Sequence, residues 1–217
     1  MLLKFKELIY PRKCALCKCV LSKNETDLCA GCRTMGPEFI LSKKKISHVA
    51  GWTAVWYYKE KARQALIDYK FHNHRAYSHA YGRLLSMKLL SEGQQDFDMI
   101  TCVPLSFGRL WERGFDQVRK IAVTVSRELE IPLVRTLKKI VNNAPQSSIA
   151  GEAQRRANTL GVYKAYKPKR FVGKRILLLD DIVTTGSTAS ECARVLMTAG
   201  AKEVYFAAVA ATQDYKR

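Results

Sequence analysis

Ile176-Leu-Leu-Leu-Asp-Asp-Ile-Val-Thr-Thr-Gly-Ser-Thr-Ala-Ser190 is the stretch whose reading decides the fold. It opens with Arg175 to Leu179, apolar on both faces, which predicts a strand buried on both sides of a sheet. Two adjacent carboxylates, Asp180 and Asp181, follow at the strand's C-terminal end, where open α/β sheets bind ligands. A small hydroxyl-rich loop comes next. A helix is then expected over Thr188–Ala199, with Ala189, Cys192, Ala193, Leu196 and Ala199 on its buried stripe and Gly200 closing it.

Each part of the loop has a chemical reason. Consecutive amides of Thr184, Thr185, Gly186, Ser187 and Thr188 can form a concave nest around a phosphate. Gly186 permits a backbone geometry that a Cβ would block. The hydroxyls of Thr184, Thr185, Ser187 and Thr188 add donors, and the helix N-terminus adds free N–H groups and a favourable dipole. Ionised Asp180 and Asp181 suit the vicinal hydroxyls of a ribose, directly or through a metal-bound water. The loop can therefore hold a ribose 5-phosphate without any positive side chain.

Working outward, strands and helices alternate. Strands are expected at Val49–Tyr58, Met99–Val103, Ile131–Val134 and Glu203–Ala210, and helices at Glu60–Tyr69, His74–Leu90 and Asp116–Leu129. Asn142–Asn158 reads as a long loop or an interrupted helix. The alternation predicts an α/β fold, a mostly parallel sheet flanked by helices. Cys102 and Cys192 fall on apolar stretches and read as core residues. His72, His74 and His79 read as exposed helix residues rather than ligands.

The N-terminal part has a different character. Cys14-Ala-Leu-Cys17 and Cys29-Ala-Gly-Cys32 are two C-x-x-C pairs eleven residues apart. Each pair turns two thiolates onto one face, and two pairs close a tetrahedral structural zinc site on Cys14, Cys17, Cys29 and Cys32. Gly31 suits a tight turn in the second pair, and Cys19 is an alternative to Cys17. The expected organisation is a zinc-binding module and linker over 1–45, followed by an α/β domain over 46–217. The linker, Phe39–Ser47, carries Lys43-Lys44-Lys45 and reads as solvated.

The chain has 217 residues, 47% of them apolar, which excludes a wholly disordered chain. No apolar run is long enough to span a membrane, and the start lacks the pattern of a signal peptide. A cytoplasmic location is expected. Lys and Arg number 37 against 19 Asp and Glu, a formal charge of +18. That field attracts polyanions such as nucleic acid or phosphorylated ligands.

The Asp180–Thr188 loop resembles the signature of type I phosphoribosyltransferases, which bind phosphoribosyl diphosphate (PRPP) through it. Pro104-Leu-Ser-Phe-Gly-Arg-Leu-Trp-Glu-Arg-Gly114 holds the position of their diphosphate loop, with Arg109 and Arg113 able to pair with a diphosphate. Together with the cysteine pairs, Val103-Pro-Leu-Ser106, Arg113-Gly-Phe-Asp-Gln117, Gln146 and Arg155-Arg-Ala-Asn158, the chain resembles the ComF competence family and its GntX-like relatives. Asp116 departs from the Asn usual there.

The resemblance implies Mg²⁺ used with PRPP. It implies that Asp180 and Asp181 are catalytic if the protein is an enzyme, and that Arg155 and Arg156 belong to a loop closing over the substrate. It implies a role in natural transformation: single-stranded DNA held by Arg109, Arg113, Arg155 and Arg156, with a DNA-translocating ATPase as partner at the inner face of the cytoplasmic membrane. Trp111, beside Arg109 and Arg113, is the candidate to stack with bases, its alternative role being to pack the loop against the domain. Two other readings stay open. One is an active phosphoribosyltransferase acting on a base or another nitrogen nucleophile. The other is an adaptor with a relic site whose zinc module docks a partner.

Overall fold

The structure is a computed structural model that describes residues 11–39, 44–71, 76–106, 108, 110, 111, 114–141 and 160–213. Its centre is a four-stranded parallel sheet in the order β1-β6-β5-β2, formed by β1 (Gly51–Tyr57), β2 (Met99–Cys102), β5 (Arg175–Val183) and β6 (Glu203–Ala211). β5 and β6 are central and almost wholly buried, as their unbroken apolar runs require. A fifth stretch lies along β2, where Leu133 makes a parallel bridge to Ile100 at the expected short strand.

Helices α2 (Glu60–Phe71), α3 (Tyr77–Ser91) and α4 (Gln117–Glu128) cover one face. On α4 the residues Val118, Ile121, Ala122 and Val125 are buried, the stripe expected from their spacing. Asp116 is its N-cap and accepts the Arg119 amide proton at 2.8 Å. The Asn-to-Asp departure thus preserves a good capping side chain. Gly82 on α3 lets α4 approach closely: a Cβ there would meet Thr124 Cβ at 2.4 Å.

Helix α5 (Ser187–Thr198) covers the other face, burying Ala189, Cys192, Ala193 and Leu196. It closes with the Gly200 amide on Met197 O and the Ala201 amide on Leu196 O, the paired bonds of a Schellman end. Beside it stands an antiparallel ribbon of β3 (Leu137–Lys139) and β4 (Tyr163–Ala165). Between these strands, 142–159, which include the expected loop at 142–158, lie outside the described residues.

The cysteine module is built into this architecture. Its one helix among the described residues, α1 (Ala30–Met35), starts at Cys29. Leu16, Leu21 and Leu28 join the apolar cluster under α2 and α3. Tyr81 on α3 donates its hydroxyl toward both Ala15 O and Ala65 O, and Arg83 pairs with Asp27.

Three expectations are corrected. β5 does not stop at Leu179 but runs through both acids to Val183, because β6 continues to pair with it there. Gly31 sits inside α1 with open space around it, so the second cysteine pair is a helical turn and not a tight glycine turn. The stretch after the module is not solvated throughout. Phe39 is buried against Trp52 and Tyr57, Ile46 is buried, and Lys44 donates into the core domain. Lys45 is exposed, as expected, and Lys43 lies outside the described residues.

Candidate functional site

β2 pairs with β5 only as far as Leu179, so Asp180 and Asp181 emerge where the neighbouring strand has ended. Consecutive strand residues project to opposite faces, and this divides the pair. Asp180 lines a small concavity in front of α5, together with Ile182, Val183, Thr184, Gly186 and Thr188. Asp181 is buried on the α2/α4 face. It pairs with Lys70 Nζ at 2.9 Å and accepts from Gln117 Nε2 at 3.2 Å. Gln117 is fixed in turn by its carbonyl, which accepts the Tyr69 hydroxyl at 2.8 Å. Its own Oε1 is buried without a partner.

The two carboxylates also differ electrostatically. Desolvation, with the charge of Asp181 beside it, pushes Asp180 up to about 8. The Asp181 amide, donating to Asp180 Oδ1 at 2.8 Å, and the Lys70 ammonium oppose this. Asp180 therefore lacks sufficient counter-charge of its own. A hard divalent cation or a ribose hydroxyl at its open side would supply what is missing, so this oxygen donor fits Mg²⁺.

The loop after Val183 is short and anchored from behind. Thr184 O accepts from Lys44 Nζ at 2.8 Å and from Thr212 Oγ1 at 3.1 Å. Gly186 has φ +79, a left-handed conformation, and a Cβ there would come within 2.9 Å of Ile46 Cγ1. α5 begins at the next residue. Thr185 and Ser187 hydrogen-bond each other at 2.8 Å, which shapes the turn, while Thr184 and Thr188 line the concavity. A phosphate seated there meets amides of the first turn of α5 and the positive end of its dipole.

Trp111 is 79% exposed, and Leu110 beside it is also exposed. Its ring does not pack the loop against the domain, the alternative role open to it. Arg109, Arg113, Arg155 and Arg156 lie outside the described residues, as do His72 and His74. His79 is exposed on α3, within 3.2 Å of Thr124 Oγ1. Cys192 is buried and Cys102 partly so, as core residues.

In the N-terminal module the sulfurs of Cys14, Cys17, Cys19 and Cys29 all lie within 4.8 Å of one another. Cys17 Sγ is 3.3 Å from Cys19 Sγ and 3.6 Å from Cys29 Sγ. Zinc–thiolate bonds of ~2.3 Å in a tetrahedron place sulfurs roughly 3.8 Å apart. The donor set therefore suits Zn²⁺. Cys32, buried on α1, is not one of these four, although its thiol interacts with those of Cys14, Cys17 and Cys29. Cys19, the alternative to Cys17, stands beside it in the cluster.

Lys70, Gln117 and Lys44 were not singled out from the sequence as site residues. Gln117 had a weak signal, within Arg113-Gly-Phe-Asp-Gln117. Lys70 and Lys44 had none, because only the fold brings α2 and the stretch before β1 to the end of β5.

Residues 119–217 match the phosphoribosyl transferase domain family. Competence protein F of Haemophilus influenzae is 32% identical over 108 residues, covering 49% of this chain and 47% of that protein. The DNA utilization protein YhgH of Escherichia coli O157:H7 is 31% identical over 140 residues, covering 62% and 60%. The chain is similar to both proteins over these spans. It spans about half to three fifths of the length of these two relatives. Among solved structures, the phosphoribosylpyrophosphate synthetase from Mycobacterium smegmatis aligns with a TM-score of 0.38 at 23% identity, over 60% of this chain and 33% of that one.

Proposed function

We propose that this ComF-like chain serves DNA uptake or utilization, and that it binds PRPP, or a closely related ribose phosphate, at the end of β5 while holding single-stranded DNA on its basic surface. The observation that carries the ligand reading is the join of β5 to α5. A left-handed Gly186 opens the first amides of α5 directly above the open side of Asp180. The names of the two relatives and the charge of +18 support the DNA reading.

In this reading the 5-phosphate sits on the amides of 184–188, with Thr184 and Thr188 as hydroxyl donors. Asp180 accepts from the ribose hydroxyls. Asp181 is a positioning residue: held by Lys70 and Gln117, it fixes the strand end and loads Asp180 electrostatically. Mg²⁺, held by Asp180 and the ligand's own oxygens, would neutralise the diphosphate. Zn²⁺ in the cysteine cluster is structural, since four thiolates leave no open coordination position.

Asp180 also favours a second reading, transfer of the ribosyl group to a nitrogen nucleophile. A desolvated carboxylate beside the anomeric carbon stabilises positive charge developing there as diphosphate departs. The adaptor reading has less support, because Leu16, Leu21 and Leu28 of the module are spent on the shared core.

Calorimetric titration of PRPP with Mg²⁺ tests the ligand site. Saturable binding at one site, lost in Asp180→Asn, is expected. No heat from folded, zinc-loaded protein would remove PRPP as the ligand.

A further inference from the structure

The β3/β4 ribbon carries a charge arrangement that folding alone does not favour. Lys138 and Lys164 are direct cross-strand partners, so their ammonium groups share one face. Like charges directly opposite in an antiparallel pair are destabilising. Neither lysine has an ion pair among the described residues. No Asp or Glu occurs in 132–141 or 160–174 to relieve them, while Arg135, Lys139 and Lys167 add to the same field.

The ribbon is also firmly based. Tyr166 N–H donates to Thr136 O at 2.7 Å, and Thr136 Oγ1 donates to Thr101 Oγ1 of β2 at 2.8 Å in the buried interior. It continues one step beyond its strands, with Ile140 N–H on Val162 O. At that end Ile140, Val141 and Leu160 are exposed. The result is a firmly based basic ribbon with apolar side chains exposed at the end of its described residues.

We propose that this ribbon is the surface that grips single-stranded nucleic acid, with Lys138 and Lys164 straddling its phosphodiester backbone. The proposal rests on the DNA-binding half of the proposed function and names its site. A phosphate between the two lysines turns their repulsion into a paired attraction. Lys139, one residue on, lies on the opposite face, over the Tyr163 ring at 5.9 Å. The opposite face, with Leu137 and Tyr163, is buried against the core, so the strand lies along the Lys138/Lys164 face. Exposed Ile140, Val141 and Leu160 offer a surface for unstacked bases, which duplex DNA keeps inside.

The test is fluorescence anisotropy of a labelled oligothymidylate against KCl concentration, with wild type, Lys138→Gln/Lys164→Gln, and the control Lys61→Gln/Lys120→Gln on the helical face. Losing two phosphate contacts should lower the slope of log K against log salt by about 1.4. It should weaken binding on the order of 10-fold at moderate salt, while the control behaves as wild type. The ribbon variant should melt at the same or a higher temperature, since a repulsive pair has gone. Wild-type binding with an unchanged slope in the ribbon variant would overturn the ribbon assignment and leave the DNA reading standing. No binding by the wild type would overturn the DNA reading itself. Anionic phospholipid vesicles bound through Lys138 and Lys164 in the absence of oligonucleotide binding would overturn the proposal in favour of a membrane surface.

Discussion

Lys70→Met tests whether α2 helps to build the site at the end of β5. The substitution keeps the aliphatic stem and removes one charge of a pair 2.9 Å apart, with side chains 18% and 8% exposed. Removing one partner of a buried pair costs about 3–5 kcal/mol. Asp181 keeps its bond from Gln117, and Lys70 is partly solvated, so the loss should fall to about 2–3 kcal/mol. In Lys70→Met/Asp181→Asn no unpaired carboxylate remains, and much of the loss should be recovered. The assay is urea unfolding of the wild type, both single variants and the double at one pH and salt. A coupling energy near 2 kcal/mol is expected, from midpoints shifting at constant slope. A coupling below about 0.5 kcal/mol, the range of an exposed pair, would refute the placement of Lys70 against Asp181. A second readout concerns Asp180, which Lys70 holds down, so its titration should move upward in Lys70→Met.

Other outcomes follow from the same geometry. Asp180, raised to about 8 in the fold, binds its proton more tightly there than in the unfolded chain, so its contribution to stability is lost as pH rises from about 4 through 8. Asp180→Asn should therefore be more stable than wild type at pH 8.5, with the gap closing toward pH 4 in thermal melts. Affinity for PRPP with Mg²⁺ should climb over the same window, by calorimetry at several pH values. Gly186→Ala places a Cβ at φ +79 against Ile46 and should cost about 1–3 kcal/mol in urea unfolding, with at least 10-fold weaker PRPP binding. Purified protein should contain one zinc per chain by metal analysis. Cys29→Ser should lose it and melt at a lower temperature, because Leu16, Leu21 and Leu28 depend on the cluster to hold their place under α2 and α3.

Much of this architecture was legible in the sequence because it is local. The apolar run Ile176–Leu179 could only be a buried strand, and Thr-Thr-Gly-Ser-Thr could only be a tight entry into a helix. The α4 stripe and the paired cysteines have fixed spacings. What the sequence hid is what the topology brings together. β5 extends past the acids because β6, nearly thirty residues later, keeps pairing with it. Lys70 meets Asp181 across more than a hundred residues, and Lys44 reaches Thr184 across 140. Such pairs leave no periodicity behind. Lys44 was misread for the same reason: it looks solvated until it is seen to donate to Thr184 O, with Phe39 and Ile46 buried on either side.

Hydrogen–deuterium exchange across 183–190, with and without PRPP and Mg²⁺, measures the central claim most directly. The claim is that the amides of the loop and of the first turn of α5 seat the phosphate. Saturating ligand should slow exchange in this segment more than in the peptide over α4, and Asp180→Asn should abolish the difference. Saturable binding that leaves 183–190 unprotected would contradict the account.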